Sequence, residues 1–157
     1  MWHYARGMAF ANKGKLKKAR KALQLVEQGS SNEALKALDK PNYPTINLSK
    51  MATLVLTAEI AGKKGKLGEK VALLKEAVAI QDGLRYSEPP HFYYPVRQSL
   101  GAALLADNKA AAAEIIFKED LAKFPRNGWS LFGLHQSLIK QQKMEEAKKI
   151  ELSLIHI

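Results

Sequence analysis

The sequence predicts an all-α protein of about eight helices plus one short helix. Its 157 residues are rich in Ala, Leu and Lys, and no stretch alternates apolar and polar residues over the length of a strand. Four segments repeat a turn followed by a helix with small or apolar residues at matching places: GKLKKARKAL, GKLGEKVALL, NKAAAAEIIF and QKMEEAKKIE. Each segment follows a predicted helix of similar length, so we expect antiparallel helix pairs stacked one after another.

The composition excludes several classes of protein. The chain has no cysteine, which excludes disulfides and thiolate chemistry. No apolar run reaches the roughly 18 residues of a membrane helix, and the first residues lack the apolar core of a signal peptide. We therefore expect a soluble protein that does not bind membranes and is cytoplasmic by default. Met1 and Trp2 lie directly within a helix pattern, as in a chain cut from a longer array.

Small and large apolar residues recur at fixed places of each predicted helix pair. The third pair shows the pattern best, with Leu100, Gly101, Leu104, Ala113, Phe117 and Pro125. Small residues let two helices approach, and large residues fill the space between them. The pattern resembles the tetratricopeptide repeat (TPR), a helix–turn–helix unit of about 34 residues. The resemblance covers nearly the whole chain and implies a right-handed solenoid of antiparallel helix pairs.

The repeat divides the chain into four units joined by two insertions. The units lie at about 1–28, 51–83, 94–125 and 128–151. The first insertion covers 29–47 and the second covers 84–93. In the first insertion, Ser30 and Glu33 predict a capping box for a short helix that ends before Pro41 and Pro44.

The second insertion is stiff and aromatic, within the run YSEPPHFYYPVR at 86–97. Pro89 and Pro90 restrict the backbone, and we expect Pro95 in the first turn of the next helix, where its missing N–H has no helical partner. The run resembles a segment of a group of bacterial TPR proteins for which no biochemical activity is established. Its polar and aromatic side chains form a candidate partner site: Tyr86, Glu88, His91, Tyr93 and Tyr94.

The TPR resemblance also implies a concave peptide-binding groove, formed by side chains of the first helix of each pair. Carried over to this chain, the groove residues are Tyr4, Met8, Asn12, Glu59, Lys63, Gln98, Ala102, Trp129, Phe132, Gln136 and Lys140. They lack the lysine and asparagine clamp with which some TPR proteins hold a chaperone's C-terminal carboxylate. Trp129 and Phe132 have the alternative of packing against a following unit.

One lysine recurs at the same turn position in all four units. These turn lysines are Lys15, Lys66, Lys109 and Lys143. Stacked turns align along one edge, so the chain, with a net charge of +10, predicts a basic edge. The edge is either a solvated surface or a site for an anion or nucleic acid. Nucleic acid is disfavoured because almost no arginine or aromatic residue is interleaved with the lysines for base stacking.

Arg97 and Asp120 stand where the repeat expects Trp and Ala. In an antiparallel pair, the start of the first helix lies beside the end of the second. We therefore predict a buried or half-buried structural ion pair between Arg97 and Asp120, because a buried charge needs a partner. The alternative is that one of the two side chains turns to solvent.

No recognisable catalytic or metal-binding motif is present. The segment GKKGKLGEK at 62–70 lacks the glycine spacing and the Lys-Ser/Thr of a phosphate loop. No histidine has the spacing of a zinc-binding helix; the histidines are His3, His91, His135 and His156. We therefore expect no cofactor, no metal and no enzymatic activity. An enzyme that uses Tyr86, Glu88, His91 and Arg97 is the least favoured alternative.

Together these patterns favour a protein–protein interaction scaffold that binds a peptide or partner domain through the groove or the second insertion. The alternatives are a purely structural part of a larger array, and anion or nucleic-acid binding through the basic edge. The last residues, LSLIHI, resemble a tail read from sequencing-adapter DNA, or else form an ordinary apolar helix end. Residues 152–157 therefore do not enter the functional argument.

Overall fold

The computed structural model describes residues 1–155, which form two compact units divided between Tyr94 and Pro95. The described residues form nine helices: α1 (Trp2–Asn12), α2 (Leu16–Ser30), α3 (Glu33–Ala37), α4 (Thr45–Lys63), α5 (Leu67–Asp82), α6 (Val96–Ala106), α7 (Ala110–Lys123), α8 (Gly128–Lys140) and α9 (Met144–Ile155). The prediction of an all-α fold is confirmed. Helix α9 continues into the 152–157 tail, of which His156 and Ile157 lie outside the described residues.

In the first unit, α1 packs on α2, α4 packs on α5, and α1 and α2 both contact α4. Gly7 marks the closest approach. A Cβ at this position would lie 2.5 Å from Leu56 Cδ2 and 3.3 Å from Ala22 Cβ. Small residues along α1, α2 and α4 therefore allow the three helices to share one core, which also holds Met51 and Leu74.

In the second unit, α7 packs on both α6 and α8, and α8 packs on α9. The ring of Phe117 on α7 fits between Gly101 of α6 and Gly133 of α8. A Cβ added to either glycine would overlap this ring. The large residue thus fills a space that two small residues leave open, which is the kind of packing that the repeat predicts.

Within each of the four helix pairs, the two helices are joined by a turn of the same geometry. The residue before each turn lysine has a positive φ: Gly14 (69°), Gly65 (76°), Asn108 (57°) and Gln142 (61°). Each turn lysine donates its backbone N–H to a carbonyl five residues earlier: Lys15 to Phe10, Lys66 to Ala61, Lys109 to Leu104 and Lys143 to Leu138. A left-handed residue followed by such a bond ends a helix in a Schellman motif. The repeat that the residues show is therefore also present in the backbone.

The first insertion differs from the prediction at its start. Asn32 rather than Ser30 caps α3, because Asn32 Oδ1 accepts a hydrogen bond from Ala34 N at 2.9 Å. The predicted Ser30–Glu33 capping box is therefore wrong. Ser30 still belongs to α2 and its hydroxyl donates to Val26 O at 2.8 Å, so α2 ends later than the predicted first unit, which ends at about residue 28. Helix α4 begins at Thr45, whereas the sequence predicted that the second unit begins at about residue 51.

Pro95 lies at the N-cap of α6 and not in its first turn. Its φ of −69° suits a helix, but its ψ of 119° is extended, so the helix begins at Val96. Proline remains favourable here because the start of a helix needs no donated N–H. The preceding insertion contains a cis peptide bond between Glu88 and Pro89.

In the part of the chain that the structure describes, none of the helices combines the length and the apolarity that a membrane-spanning helix needs.

Candidate functional site

Aromatic residues anchor the second insertion to the first unit. Phe92 is buried, with its ring centroid 6.1 Å from Tyr4 and 5.6 Å from Tyr94. The hydroxyls of Tyr4 and Tyr93 are hydrogen-bonded at 3.1 Å. Burial, together with this bond, raises the pKa of Tyr4, so the phenol is neutral at ordinary pH. Tyr4, which the sequence places in the groove, therefore lies in the core and holds the insertion.

The five predicted side chains of the second insertion do not form one cluster. Tyr86 is almost fully exposed and donates to Glu88 Oε1 at 2.5 Å, and this bond raises the pKa of Tyr86. The ring centroid of Tyr93 lies 6.3 Å from that of Tyr4, and the centroid of Tyr94 lies 4.6 Å from that of Tyr93. His91 instead lines a cavity. The insertion thus divides into an exposed end, an anchoring end and a cavity wall.

A cavity of about 650 Å³ lies in the first unit between the two insertions. Its walls are mostly apolar and include Leu25, Val26, Leu35, Leu48 and Pro90. No lysine, arginine, aspartate or glutamate lines it among the described residues. Sequence reasoning missed this cavity and identified only His91. The sequence feature that could have indicated the cavity is that both insertions depart from the repeat. Nothing in the sequence shows that the two insertions lie beside each other.

Glu59, a predicted groove residue of the first unit, pairs with Lys63, another predicted groove residue, and with Lys70. Glu59 Oε2 lies 2.9 Å from Lys70 Nζ, and Glu59 Oε1 lies 3.5 Å from Lys63 Nζ. Burial raises the pKa of Glu59, but the hydrogen bonds and charges of the two lysines outweigh it and the pKa is lowered. Lys70 fits where the repeat expects alanine because Gly62, which has no side chain, leaves room for it. A Cβ on Gly62 would lie only 2.6 Å from Lys70 Cδ.

The remaining predicted groove residues of the first unit are Met8 and Asn12. Met8 is half-buried, and Asn12 is exposed. The Asn12 side chain donates from Nδ2 to Met8 O at 3.1 Å, within its own helix. Together with the pairing of Glu59, this leaves the first unit few free polar groups on the predicted groove surface.

Helix α8 of the second unit presents two aromatic side chains to solvent. Trp129 is 77% exposed and Phe132, about one turn along the helix, is 54% exposed. Asn127 caps the helix by accepting from Trp129 N at 3.1 Å, which fixes where the indole leaves the backbone. Neither ring is buried by α9, so the second unit by itself does not use them for packing.

The other predicted groove residues of the second unit lie on the same helix as this aromatic pair or on α6. Gln98 on α6 and Gln136 on α8 are half-buried, and Ala102 is exposed. Lys140 Nζ donates to Leu105 O at 3.0 Å, where α6 ends. A lysine at a helix C-terminus satisfies a free carbonyl and the helix dipole. Lys140 therefore has a structural contact besides any role with a partner.

Asp120 is fully buried in the second unit. Its Oδ2 accepts from Ser130 Oγ at 2.5 Å and from Asn127 Nδ2 at 3.4 Å, whereas its Oδ1 has no hydrogen-bond partner among residues 1–155. Burial raises the pKa of Asp120, although the bond from Ser130 and the charge of Arg97 oppose the shift. Arg97 is itself buried and donates from Nε to Glu119 Oε2 at 3.3 Å. A direct Arg97–Asp120 ion pair stays a prediction.

Three of the four turn lysines lie beside carboxylates. Lys66 Nζ is 3.0 Å from Glu69, Lys109 Nζ is 2.7 Å from Asp107, and Lys143 Nζ is 2.8 Å from Glu114. The hydrogen bonds from Lys118 and Lys143 lower the pKa of Glu114 to about 2. These pairs reduce the positive charge that the turn lysines offer to an anionic partner; Lys15 is exposed.

Groups that could bind a metal are sparse. Among residues 1–155, no three His, Cys, Asp or Glu side chains are placed together to hold a metal ion. His3 and His91 both line the cavity, and His3 Nδ1 is buried without a hydrogen-bond partner in the described chain. The two candidate binding sites of the described chain are thus the cavity of the first unit and the exposed aromatic pair on α8.

No protein-family model, curated protein or solved structure matches this chain.

Proposed function

We propose that the protein is a TPR-like scaffold that binds a peptide or a partner domain, with Trp129 and Phe132 on α8 as the main contacts. The exposure of these two rings carries the proposal. Other apolar residues of α8, Leu131, Leu134 and Leu138, are buried in the second unit. Aromatic residues are enriched at protein interfaces and supply much of the binding energy.

The repeated backbone turns and the packing of Phe117 between two glycines support the solenoid part of the proposal. In the second unit, the first helices of the two pairs, α6 and α8, contact each other. Gln98, Ala102 and Gln136 of these helices are exposed or half-buried, and we propose that they belong to the same binding surface as the aromatic pair. Amide side chains beside exposed rings suit a peptide, because they can bond to its backbone while the rings cover its apolar side chains.

The structure favours this surface over the basic edge as the site of interaction. Lys66, Lys109 and Lys143 each lie within 3.0 Å of a carboxylate oxygen. Phosphate binding depends on the number of cations that are free to replace counterions. A partner with apolar anchor residues fits the exposed groups of α8 better than a polyanion fits the paired lysines.

The experiment is a selection of peptides from a displayed library on the whole protein, followed by affinity measurements with variants. Trp129→Ala and Phe132→Ala should each weaken the selected peptides by about 1.4 kcal/mol or more, which is ten-fold in affinity. Ile115→Ala is the matched control, because Ile115 is an apolar residue of α7 that is 59% exposed. It should bind like the parent protein.

A spectroscopic readout locates the contact independently. The chain has two tryptophans, Trp2 and Trp129, so Trp2→Phe leaves Trp129 on α8 as the only tryptophan whose fluorescence is measured. A bound peptide that covers Trp129 should shift its emission to shorter wavelength, since the indole leaves water. Peptides that bind with unchanged emission and unchanged affinity in Trp129→Ala would exclude α8 as the binding surface.

A further inference from the structure

Two segments that the repeat does not require enclose the cavity of the first unit. The first insertion supplies Leu35, Leu38 and Tyr43, and the second supplies Pro90 and His91. Helices α1, α2 and α4 complete the walls. The volume of about 650 Å³ lies within the roughly 300–1,000 Å³ that is typical of small-molecule sites.

The lining of the cavity selects against charged ligands. The chain contains 25 Lys and Arg and 15 Asp and Glu residues, yet none of them lines the cavity in the described structure. An ion without a partner loses its hydration in such an environment, which makes its binding unfavourable. Several polar groups of the lining are already bonded within the protein: Thr45 Oγ1 donates to Leu35 O at 2.9 Å, and Ser49 is bonded to Ser30.

The mouth of the cavity exposes apolar side chains to water. Leu25 is 43% exposed, Leu38 is 58% exposed and Tyr43 is 59% exposed. A ligand that enters the cavity would cover part of this surface, and removal of apolar surface from water is favourable. We infer that the first unit binds a small, uncharged, largely apolar molecule in this cavity, separately from the peptide surface of α8.

The walls of the cavity are held in place before any ligand binds. Asp39 Oδ1 accepts from Ile46 N at 3.1 Å, which ties the first insertion to the start of α4. The buried Phe92 and its contact with Tyr4 anchor the second insertion. A preformed cavity spares the ligand most of the cost of ordering the protein.

Two fluorescent probes of nearly the same shape test the inference. N-phenyl-1-naphthylamine is uncharged, and 1-anilinonaphthalene-8-sulfonate adds one sulfonate to the same ring system. We expect the uncharged probe to bind the intact protein saturably at one site, and the sulfonate to bind about ten-fold more weakly. Both titrations use about 0.5 M NaCl, so that the net charge of +10 does not attract the anion non-specifically.

A pair of glycine substitutions locates the bound probe. Gly29 on α2 lines the cavity, whereas Gly68 on α5 does not, and a Cβ at either position meets no atom within 4 Å. Gly29→Phe should fill the cavity and weaken the uncharged probe by about ten-fold or more. Gly68→Phe and Trp129→Ala should bind the probe like the parent, while far-ultraviolet circular dichroism confirms that every variant is folded.

Four results would each overturn the inference. The uncharged probe would bind without saturation, or the sulfonate would bind equally well, or Gly29→Phe and Gly68→Phe would have the same affinity. Loss of the probe in Trp129→Ala would also overturn it, because the bound molecule would then lie on α8. Peptide binding and probe binding are measured separately, so either proposal can fail without the other.

Discussion

At the scale of single residues, a few close contacts explain positions where only one side chain fits. Phe117 occupies the space left by Gly101 and Gly133. Lys70 occupies the space over Gly62 and pairs with Glu59, although the repeat favours a small residue there. These contacts lie between helices, so a substitution at such a glycine changes packing and not only helix propensity.

Gly101→Ala should destabilise the second unit, because the new methyl group overlaps the ring of Phe117. Overpacking of this kind typically costs about 1–3 kcal/mol, which exceeds the gain of about 1 kcal/mol from replacing glycine by alanine in a helix. Urea unfolding followed by circular dichroism measures the change. Gly68→Ala is the control: it meets open space and should be neutral or stabilising, so equal effects of the two substitutions would contradict the packing argument.

Asp120 is the second residue whose environment yields a prediction. Asp120→Ala removes the acceptor of Ser130 and Asn127 and should cost about 1–3 kcal/mol, because it leaves buried donors unpaired. Exposed Glu76→Ala should cost about 0.5 kcal/mol or less. Chemical unfolding at neutral pH distinguishes the two, and an Asp120→Ala variant as stable as Glu76→Ala would refute a structural role for this carboxylate.

The pH dependence of Asp120 has a defined sign. Since folding raises the pKa of Asp120, the protonated form contributes stability below its ordinary pKa, and this contribution is lost as pH rises through the folded-state pKa. Asp120→Asn stays neutral and keeps an acceptor oxygen for Ser130. Its stability relative to the parent should therefore improve as the pH rises from acid to neutral.

At the scale of elements, the turns and their lysines organise the helix pairs. The second helix of each pair begins directly after a turn lysine. The backbone carbonyl of that lysine accepts the first helical hydrogen bond: Lys15 from Ala19, Lys66 from Lys70, Lys109 from Ala113 and Lys143 from Ala147. In the second unit, Glu114 of α7 also joins the end of α8 to the turn before α9, through Gln141 Nε2 at 2.7 Å and Lys143 Nζ at 2.8 Å. One buried carboxylate thereby connects three elements.

Glu114→Gln should lower the stability of the second unit at neutral pH. The pKa of Glu114 is lowered to about 2, so its charged form contributes stability above its ordinary pKa that is lost as the pH falls toward about 2. The variant should show a smaller loss of stability between about pH 5 and pH 2 than the parent. Thermal unfolding over this pH range measures both effects.

Glu76→Gln provides the control for this experiment, because Glu76 is exposed on α5. It should retain the acid sensitivity of the parent protein. A Glu114→Gln variant with the parent's pH profile would show that its ion pairs with Lys118 and Lys143 do not contribute to stability.

At the scale of the whole molecule, the two proposed sites lie in different units and use different chemistry. The first unit, Met1–Tyr94, contains both insertions and a mostly apolar cavity. The second unit, Pro95–Ile157, contains the exposed aromatic pair of α8. Little of the net charge of +10 lies in the two proposed sites, because no Lys or Arg side chain lines the cavity in the described structure and both main contacts on α8 are aromatic.

The sequence by itself determined that the chain is helical and where the turn within each helix pair lies, because these depend on local periodicity and, in three of the four turns, on glycine or asparagine at positive φ. It also indicated that Arg97 and Asp120 are unusual for their positions. Only the tertiary structure decided that Tyr4 is a core residue, that Trp129 and Phe132 are exposed, and that the two insertions enclose a cavity. The physical reason is that burial depends on contacts between residues distant in the chain, such as Tyr4 with Phe92, and no local pattern encodes those contacts.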